Sequence, residues 1–180
     1  MARLLAVLAL TTVLAACSGD DAQEPAVDAP PSIELTSSGF EAGAAIPKEY
    51  GCDDAELSPP LEWTGVPKRA KSLVLLMDDT DAPDGTFTHW TVYGISPTAT
   101  SFPEGERPKG STEGENSFGD IGYGGPCPPE GDEPHRYVVA IYALRDAPEL
   151  ERGAKPDEVR DAIEEGAIAR GRLVGTFRRG

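Results

Sequence analysis

Five stretches of the chain carry the hydrophobic patterns of β-strands. One alternates apolar and polar residues, as half-buried strands do, and one is continuously apolar, which is typical of a strand covered on both faces. The others are rich in aromatic and β-branched residues. In chain order these segments span 33–37, 72–77, 88–95, 137–144 and 173–177. Long Gly- and Pro-rich connections separate them, notably 103–133, and connections of that length usually carry function.

One segment near the C-terminus predicts a helix. Pro156 suits a first helical position, and Asp157 and Glu158 favour the positive end of the helix dipole. Apolar residues recur at helical spacing from Val159 onwards, and Gly166 predicts the end of the helix. Together with the strands, this helix predicts a mainly β fold. We expect two antiparallel sheets packed face to face as a β-sandwich, with a short helix near the C-terminus.

The first residues have the pattern of an export signal. Arg3 precedes an apolar run over 4–16, whose 13 residues are too few to span a bilayer, because a spanning helix needs about 20. Residues 14–17 (Leu-Ala-Ala-Cys) resemble a bacterial lipobox, in which Cys17 is acylated and becomes the new N-terminus. The alternative is a plain signal peptide with a cysteine near its cleavage site. We expect 1–17 to be a lipoprotein signal peptide, and the exported protein to be held at the cell envelope membrane by its N-terminal lipid.

The segment that follows predicts a flexible tether. Residues 18–32 are rich in Pro, Ala and acidic residues and contain almost no bulky apolar side chain. Such a composition cannot bury enough surface to fold. The folded domain is therefore expected to span 33–180.

The charge balance limits the possible partners. The chain has 16 basic and 31 acidic residues, which gives a net charge of −15. So acidic a surface repels nucleic acid phosphates, and we expect no nucleic acid partner. Solubility, or adaptation to salt, accounts for the acidity without any ligand. An anionic ligand would need a local basic pocket that overrides this field.

Two cysteines remain if Cys17 carries the lipid. In an exported protein, Cys52 and Cys127 predict a disulfide across 74 intervening residues. The alternative is a pair of buried thiols, because the sequence does not supply the geometry.

The chain has two histidines, and each stands at the start of an apolar strand. His89 follows the acid-rich turn 78–86, and His135 follows the proline-rich loop 122–129. Imidazoles, carboxylates and a tyrosine that meet at one sheet edge could bind an anion, chelate a metal, or act as an Asp–His base. The structural alternative is that the histidines cap strands and the aspartates make turns. No compact metal motif or Gly-x-Ser-x-Gly elbow is present, so we expect no metal, cofactor or serine hydrolase.

Four blocks of the sequence resemble the phosphatidylethanolamine-binding protein family. Residues 79–83 (DTDAP) are similar to its Asp-Pro-Asp-Ala-Pro signature. Residues 85–90 (GTFTHW), and 122–129 (GYGGPCPP) with 135–137 (HRY), resemble its other two blocks. Cys52-Asp53 with 58–61 (SPPL) resembles the bacterial branch, often called Raf kinase inhibitor-like. The resemblance runs in order from about residue 40 to residue 178.

The resemblance implies a two-sheet β-sandwich with a small pocket at one end. In the family this pocket accepts a phosphoryl headgroup or small anions such as phosphate and acetate. Carried over by motif, the ligand-binding residues are Asp79, Asp81, Ala82, Pro83, His89, Pro128, His135 and Tyr137. The sequence departs from the family at Thr80, which replaces a proline and is expected to loosen the turn. It also departs at Asp54 and Glu56, which stand where Gly and Asn are usual.

Three functions follow from these observations. The first is a lipid-anchored module that binds a small anionic ligand or phosphoryl headgroup without catalysis. The second, by family analogy, is a protein-interaction module that inhibits a protease or another envelope protein. The third is an enzyme, either metal-dependent or acting on a phosphoester through an Asp–His pair. We expect the first, with no catalytic residues.

Overall fold

The computed structural model of the protein describes residues 28–107 and 109–180. Within these ranges the elements are eight strands, one helix and a single 3-10 turn (Lys48–Tyr50). The strands are β1 (Glu34–Thr36), β2 (Leu61–Thr64), β3 (Ser72–Asp79), β4 (Phe87–Ile95), β5 (Ser101–Phe102), β6 (Thr112–Glu113), β7 (His135–Leu144) and β8 (Ala167–Phe177). Helix α1 (Pro156–Gly166) lies between β7 and β8. All five predicted strands and the predicted helix are present.

The strands form two antiparallel sheets, which confirms the predicted fold class. The smaller sheet has the order β1-β2-β5 and the larger has the order β6-β4-β3-β7-β8. Every residue of β3 is buried, because β3 is the central strand of a sheet that is covered on both faces. Leu73, Leu75 and Met77 face the smaller sheet in one core. Val74 and Leu76 point the other way into a second core.

Helix α1 covers the second face of the larger sheet. Its residues Val159 and Ile163 are fully buried in that second core. The helix ends at Gly166, as predicted, and the chain enters β8 directly at Ala167 rather than at residue 173. β8 is longer than predicted because it pairs with β7 as far as Leu144. Its first half lacks the apolar pattern by which the sequence marks a strand.

The folded domain begins before the predicted residue 33. Ala29 is buried, and the backbone of Arg170 pairs with the residues beside it. Arg170 N donates to the carbonyl of Pro30, and Ile33 N donates to the carbonyl of Arg170, both at 3.1 Å. Residues 29–32 of the predicted tether 18–32 therefore lie along β8. The predicted signal peptide 1–17 with Cys17, and the tether as far as residue 27, lie outside the described residues.

The predicted disulfide is present. Cys52 and Cys127 are bonded, with their Cα atoms 5.4 Å apart. The bond joins the loop after the 3-10 turn to the loop before β7. In the part of the chain that the structure describes, we find no helix of the length and apolar character needed to cross a membrane.

Candidate functional site

A cavity of about 290 Å³ opens where β3 ends and β4 and β7 begin. Antiparallel pairing of β3 with both neighbours brings these three strand ends together, since Asp79 is opposite Phe87 on one side and Tyr137 on the other. The lining residues are Asp79, Ala82, Pro83, Asp84, Gly85, Thr86, Phe87, His89, Phe118, Cys127, Pro128, Pro129 and His135. Six of the eight predicted ligand-binding residues are in this set: Asp79, Ala82, Pro83, His89, Pro128 and His135.

Asp79 and His135 form a buried pair in the cavity wall. Asp79 is 3% exposed and His135 is 6% exposed. Nδ1 of His135 donates to Oδ2 of Asp79 at 2.7 Å, and Oδ1 of Asp79 accepts from the backbone N of Asp81 at 2.9 Å. The carboxylate therefore fixes the orientation of the His135 ring and directs its Nε2 away from the pair. The carboxylate of Asp132 lies 3.6 Å from that Nε2.

His89 reaches the cavity through a β-bulge. β3 and β4 pair Met77 with Trp90 and then Asp78 with Thr88, so His89 is one extra residue on β4. A bulge turns two successive side chains towards the same face. The Trp90 side chain belongs to the core between the sheets, and the His89 ring packs on that same side against Tyr137, with 5.2 Å between ring centroids.

The orientation of the His89 ring is also fixed. Its Nδ1 lies 2.9 Å from the carbonyl oxygen of Gly124 and 3.1 Å from that of Gly125. Because carbonyls only accept hydrogen bonds, Nδ1 carries the proton and Nε2 is left for a ligand. Burial lowers the pKa of His89 below its ordinary value, although the two carbonyls and the charge of Asp79 oppose this effect. The ring is therefore neutral near pH 7.

Two of the predicted binding residues do not line the cavity. Asp81 instead forms a two-pronged ion pair with Arg136, at 2.7 Å from Nη2 and 2.9 Å from Nε, and accepts from the backbone N of Arg136 at 2.8 Å. The Arg136 guanidinium holds the pKa of the Asp81 carboxyl below its usual range. Asp81 thus fastens the turn after β3 to the start of β7. The motif places Asp81 among the ligand-binding residues, but in the structure its carboxylate is bonded to Arg136 and does not line the cavity.

Tyr137 lies behind the cavity wall. It is completely buried, and its hydroxyl makes no hydrogen bond of standard geometry with the described residues. Burial, followed by the charge of Asp79, raises the pKa of the Tyr137 hydroxyl above its usual range. The phenol therefore stays protonated. Its aromatic ring packs against the His89 ring and does not line the cavity.

Several residues of the site were not predicted. Phe87 and Phe118 pack edge to face at the cavity, with ring centroids 4.7 Å apart, and Phe118 also packs on His89 at 5.4 Å. Phe87 follows the acidic motif directly and could have been included from its position. Phe118 lies in the connection between β6 and β7, where no pattern distinguishes it from its neighbours.

Two departures from the family pattern have structural roles. Thr80 does not loosen the turn as expected, because its backbone N and its hydroxyl both donate to the carbonyl of Arg136, at 3.1 and 3.2 Å. Oε1 of Glu56 accepts from the backbone N of Gly125 at 3.0 Å. Gly125 is one of the two residues whose carbonyls hold His89. Glu56 therefore supports the cavity wall from outside.

Among residues 28–107 and 109–180, no three His, Cys, Asp or Glu side chains converge as a metal site requires. The site is a small cavity with two oriented imidazoles, one buried carboxylate, and walls of proline and phenylalanine. Its chemistry is that of a ligand-binding β-sandwich.

Comparison with known proteins defines the family. The family described as phosphatidylethanolamine-binding protein matches residues 36–178, and the chain belongs to it. A UPF0098 protein of Methanothermobacter thermautotrophicus is 42% identical over 153 residues, which cover 82% of this chain and all of that protein. A Mycobacterium tuberculosis protein named "Putative lipoprotein LppC" is 41% identical over 157 residues, 87% of this chain and 77% of that protein. The crystal structure of CT736 from Chlamydia trachomatis, named a "Putative PhosphatidylEthanolamine-Binding Protein (PEBP) Homolog", superposes with a TM-score of 0.77 at 39% identity, over 83% of this chain and 99% of that one.

Proposed function

We propose that the protein is a binding module whose cavity holds a small anion: a phosphate, a phosphoryl headgroup or a carboxylate. The observation that carries this proposal is the arrangement of the two histidines. His135 is anchored through Nδ1 by Asp79 at 2.7 Å, and His89 is anchored through Nδ1 by two carbonyls. Both rings therefore offer Nε2 to the same cavity. Protonated imidazoles in a partly apolar pocket are strong donors to an anion.

Anion binding in this cavity is coupled to protonation. The protein carries a net charge of −15, and the cavity is lined by Asp79 and Asp84 but by no Lys or Arg. The positive charge that an anion needs must therefore come from the histidines. Because burial lowers the pKa of His89, we expect affinity to rise as the pH falls from about 8 to 6. Acetate is the suitable probe, because its own charge is constant over this interval.

The deciding experiment compares two neutralising variants. Asp79→Asn removes the carboxylate that orients His135, whereas Asp146→Asn removes an equal charge beyond the other end of β7. If the oriented histidine binds the anion, Asp79→Asn weakens phosphate binding by about tenfold or more, since an asparagine can impose the wrong tautomer. Asp146→Asn then leaves affinity unchanged or slightly tighter, because it only reduces long-range repulsion. Titration by NMR with phosphate, phosphoethanolamine and acetate measures both. Equal affinities in the two variants would contradict the proposal.

We propose binding rather than catalysis for the Asp79–His135 pair. The pair has the geometry of a general base, so the proposal is testable by turnover. Phosphomonoesters and phosphodiesters that bind in the NMR titration should be recovered unchanged after prolonged incubation with stoichiometric protein. Hydrolysis that is lost in His135→Ala would overturn this part of the proposal.

We further propose that the module is exported and lipid-anchored through Cys17. The short apolar run before Cys17 supports this proposal, as do the name of the mycobacterial relative and the disulfide, which suits an oxidising compartment. Labelled palmitate should be incorporated into the wild-type protein and not into Cys17→Ser. Labelling of both proteins, or of neither, would contradict the lipid anchor.

A protein-interaction role is the second candidate. Phe118 is 47% exposed and Ile121 is 44% exposed, and they lie three residues apart in one loop, with Phe118 at the cavity. Exposed apolar side chains beside a cavity are a common feature of protein-binding surfaces. A protease or other envelope protein whose binding is abolished by Phe118→Ser, but not by His135→Ala, would establish this role.

A further inference from the structure

Two polar residues of the cavity, Asp79 and His89, each follow a polar residue that lies on the opposite face of the sheet. Asp79 follows Asp78 on β3, and His89 follows Thr88 on β4. Asp78 and Thr88 are buried, at 6% and 2% exposure, and are paired with each other across the two strands. They face helix α1 rather than the cavity.

Arg160 of helix α1 closes a cluster with these two residues. Its Nη2 donates to Oδ1 of Asp78 at 2.8 Å and to Oγ1 of Thr88 at 2.9 Å. The Thr88 hydroxyl in turn donates to the same Oδ1 at 2.8 Å. Each member is thus bonded to both of the others. The side chains of Arg160 and Asp78 are 17% and 8% exposed, so solvent screens their ion pair only weakly.

The cluster lies beside a break in the pairing of β3 with β4. The pairing of β3 with β4 shifts at the His89 bulge, and beyond it only Asp78–Thr88 and Asp79–Phe87 remain paired. Bulges disrupt the ladder of hydrogen bonds locally. The side-chain hydrogen bond between Thr88 and Asp78 therefore adds a connection between the two strands just past the bulge.

We propose that Arg160 is a positioning residue for the cavity: it joins β3 to β4 from the helix side and so fixes the separation of Asp79 and His89. This inference rests on the proposed anion-binding function. Arg160 touches neither of the two cavity residues. It acts through Asp78, which precedes Asp79 in the chain, and through Thr88, which precedes His89.

The test uses three changes at the cluster and one control. Arg160→Lys keeps the positive charge but removes the guanidinium group whose Nη2 donates to both Asp78 and Thr88. Arg160→Met removes the charge and the hydrogen bonds together. Because Arg160→Met leaves Asp78 as a buried unpaired charge and can prevent folding, Asp78→Asn with Arg160→Met supplies a neutral cluster. The control is Val159→Ala, since Val159 precedes Arg160 on α1 and is fully buried in the apolar core on that face of the sheet.

Two measurements are made on the purified full chain: the NMR signals of the His89 and His135 rings without ligand, and phosphate titration. We expect Arg160→Lys and the double variant to shift the His89 ring signals and to weaken phosphate binding by about tenfold, because small misplacements in a site have large effects. Val159→Ala should lower Tm but change affinity by less than about twofold. Unchanged His89 signals in folded Arg160 variants, or equal losses of affinity in Val159→Ala, would overturn the inference. If the wild-type protein binds no phosphate, the proposed function fails, and the ring signals alone decide whether Arg160 positions His89.

Discussion

The disulfide between Cys52 and Cys127 allows a quantitative prediction of stability. The bond closes a loop with a sequence separation of 75 residues. In the chain-entropy treatment a cross-link that closes a loop of this size stabilises the folded state by about 4.5 kcal/mol at 25 °C. For a domain of about 150 residues, each kcal/mol changes Tm by about 2–4 °C. Replacement of both cysteines by serine should therefore lower Tm by about 9–18 °C.

The assay is thermal unfolding of the wild-type protein and Cys52→Ser/Cys127→Ser, each with and without reductant. Reductant should lower the Tm of the wild-type protein to that of the double variant and should leave the double variant unchanged. The comparison separates the effect of breaking the disulfide bond from the effect of replacing the two cysteines by serine.

A fall of less than about 4 °C would refute the entropic reasoning. It would mean that the unfolded chain already keeps residues 52 and 127 close together, or that native strain offsets the gain. A Tm that falls further in the double variant than in the reduced wild-type protein would instead indicate that the serine side chains fit poorly in the cavity wall. Cys127 lines that cavity.

Three further predictions concern the cavity and its walls. Asp132→Asn should tighten phosphate binding by about threefold at low salt, because it removes an exposed carboxylate 3.6 Å from Nε2 of His135. At about 1 M salt the substitution should have no effect on affinity, and isothermal titration at both salt concentrations measures this. Gly125→Ala should abolish soluble expression or strongly lower Tm, since the added Cβ would lie 2.5 Å from a backbone oxygen of the 3-10 turn. Gly166→Ala is the control and should do neither, because its added Cβ would have its nearest neighbours at 3.7 Å. Because burial lowers the pKa of His89 in the folded state, the unfolded state binds more protons below about pH 6.5, and stability should decline from that pH downwards; denaturant titrations should show a weaker decline in His89→Gln.

The long strands were predictable from the sequence because burial on both faces leaves a visible pattern. β3 is a continuous apolar run, and β4 and β7 carry aromatic and β-branched residues over eight or more positions. β5 and β6 were not predicted, because strands of two residues are too short to show a period. β2 was not predicted either, although its four residues alternate between buried and exposed as those of β1 do. β5 and β6 also lie at the edges of their sheets. Their pairing is decided by neighbours that are distant in sequence.

The candidate site was predictable as a set of residues but not as a geometry. The family motifs identified Asp79, His89 and His135 correctly as members of one cavity. They did not show that Asp81 is bound by Arg136, because that contact depends on the register between two chain segments 55 residues apart. Nor did they reveal the bulge, which depends on how β4 pairs with β3. The direction of a side chain depends on how the strands pair in the folded protein, whereas a sequence motif gives only the type of residue at each position.

The anchored ring of His89 has a consequence for selectivity among oxyanions. Nδ1 of His89 donates to the carbonyls of Gly124 and Gly125, and burial lowers the pKa of this ring. At a pH where His89 is neutral, its Nε2 therefore presents a lone pair and not a proton. An ion that carries its own acidic hydrogen, such as monohydrogen phosphate, can donate it to this ring, whereas sulfate has none to give near neutral pH. The cavity should therefore distinguish phosphate from sulfate, two ions of nearly the same shape, by the protons they carry rather than by their size.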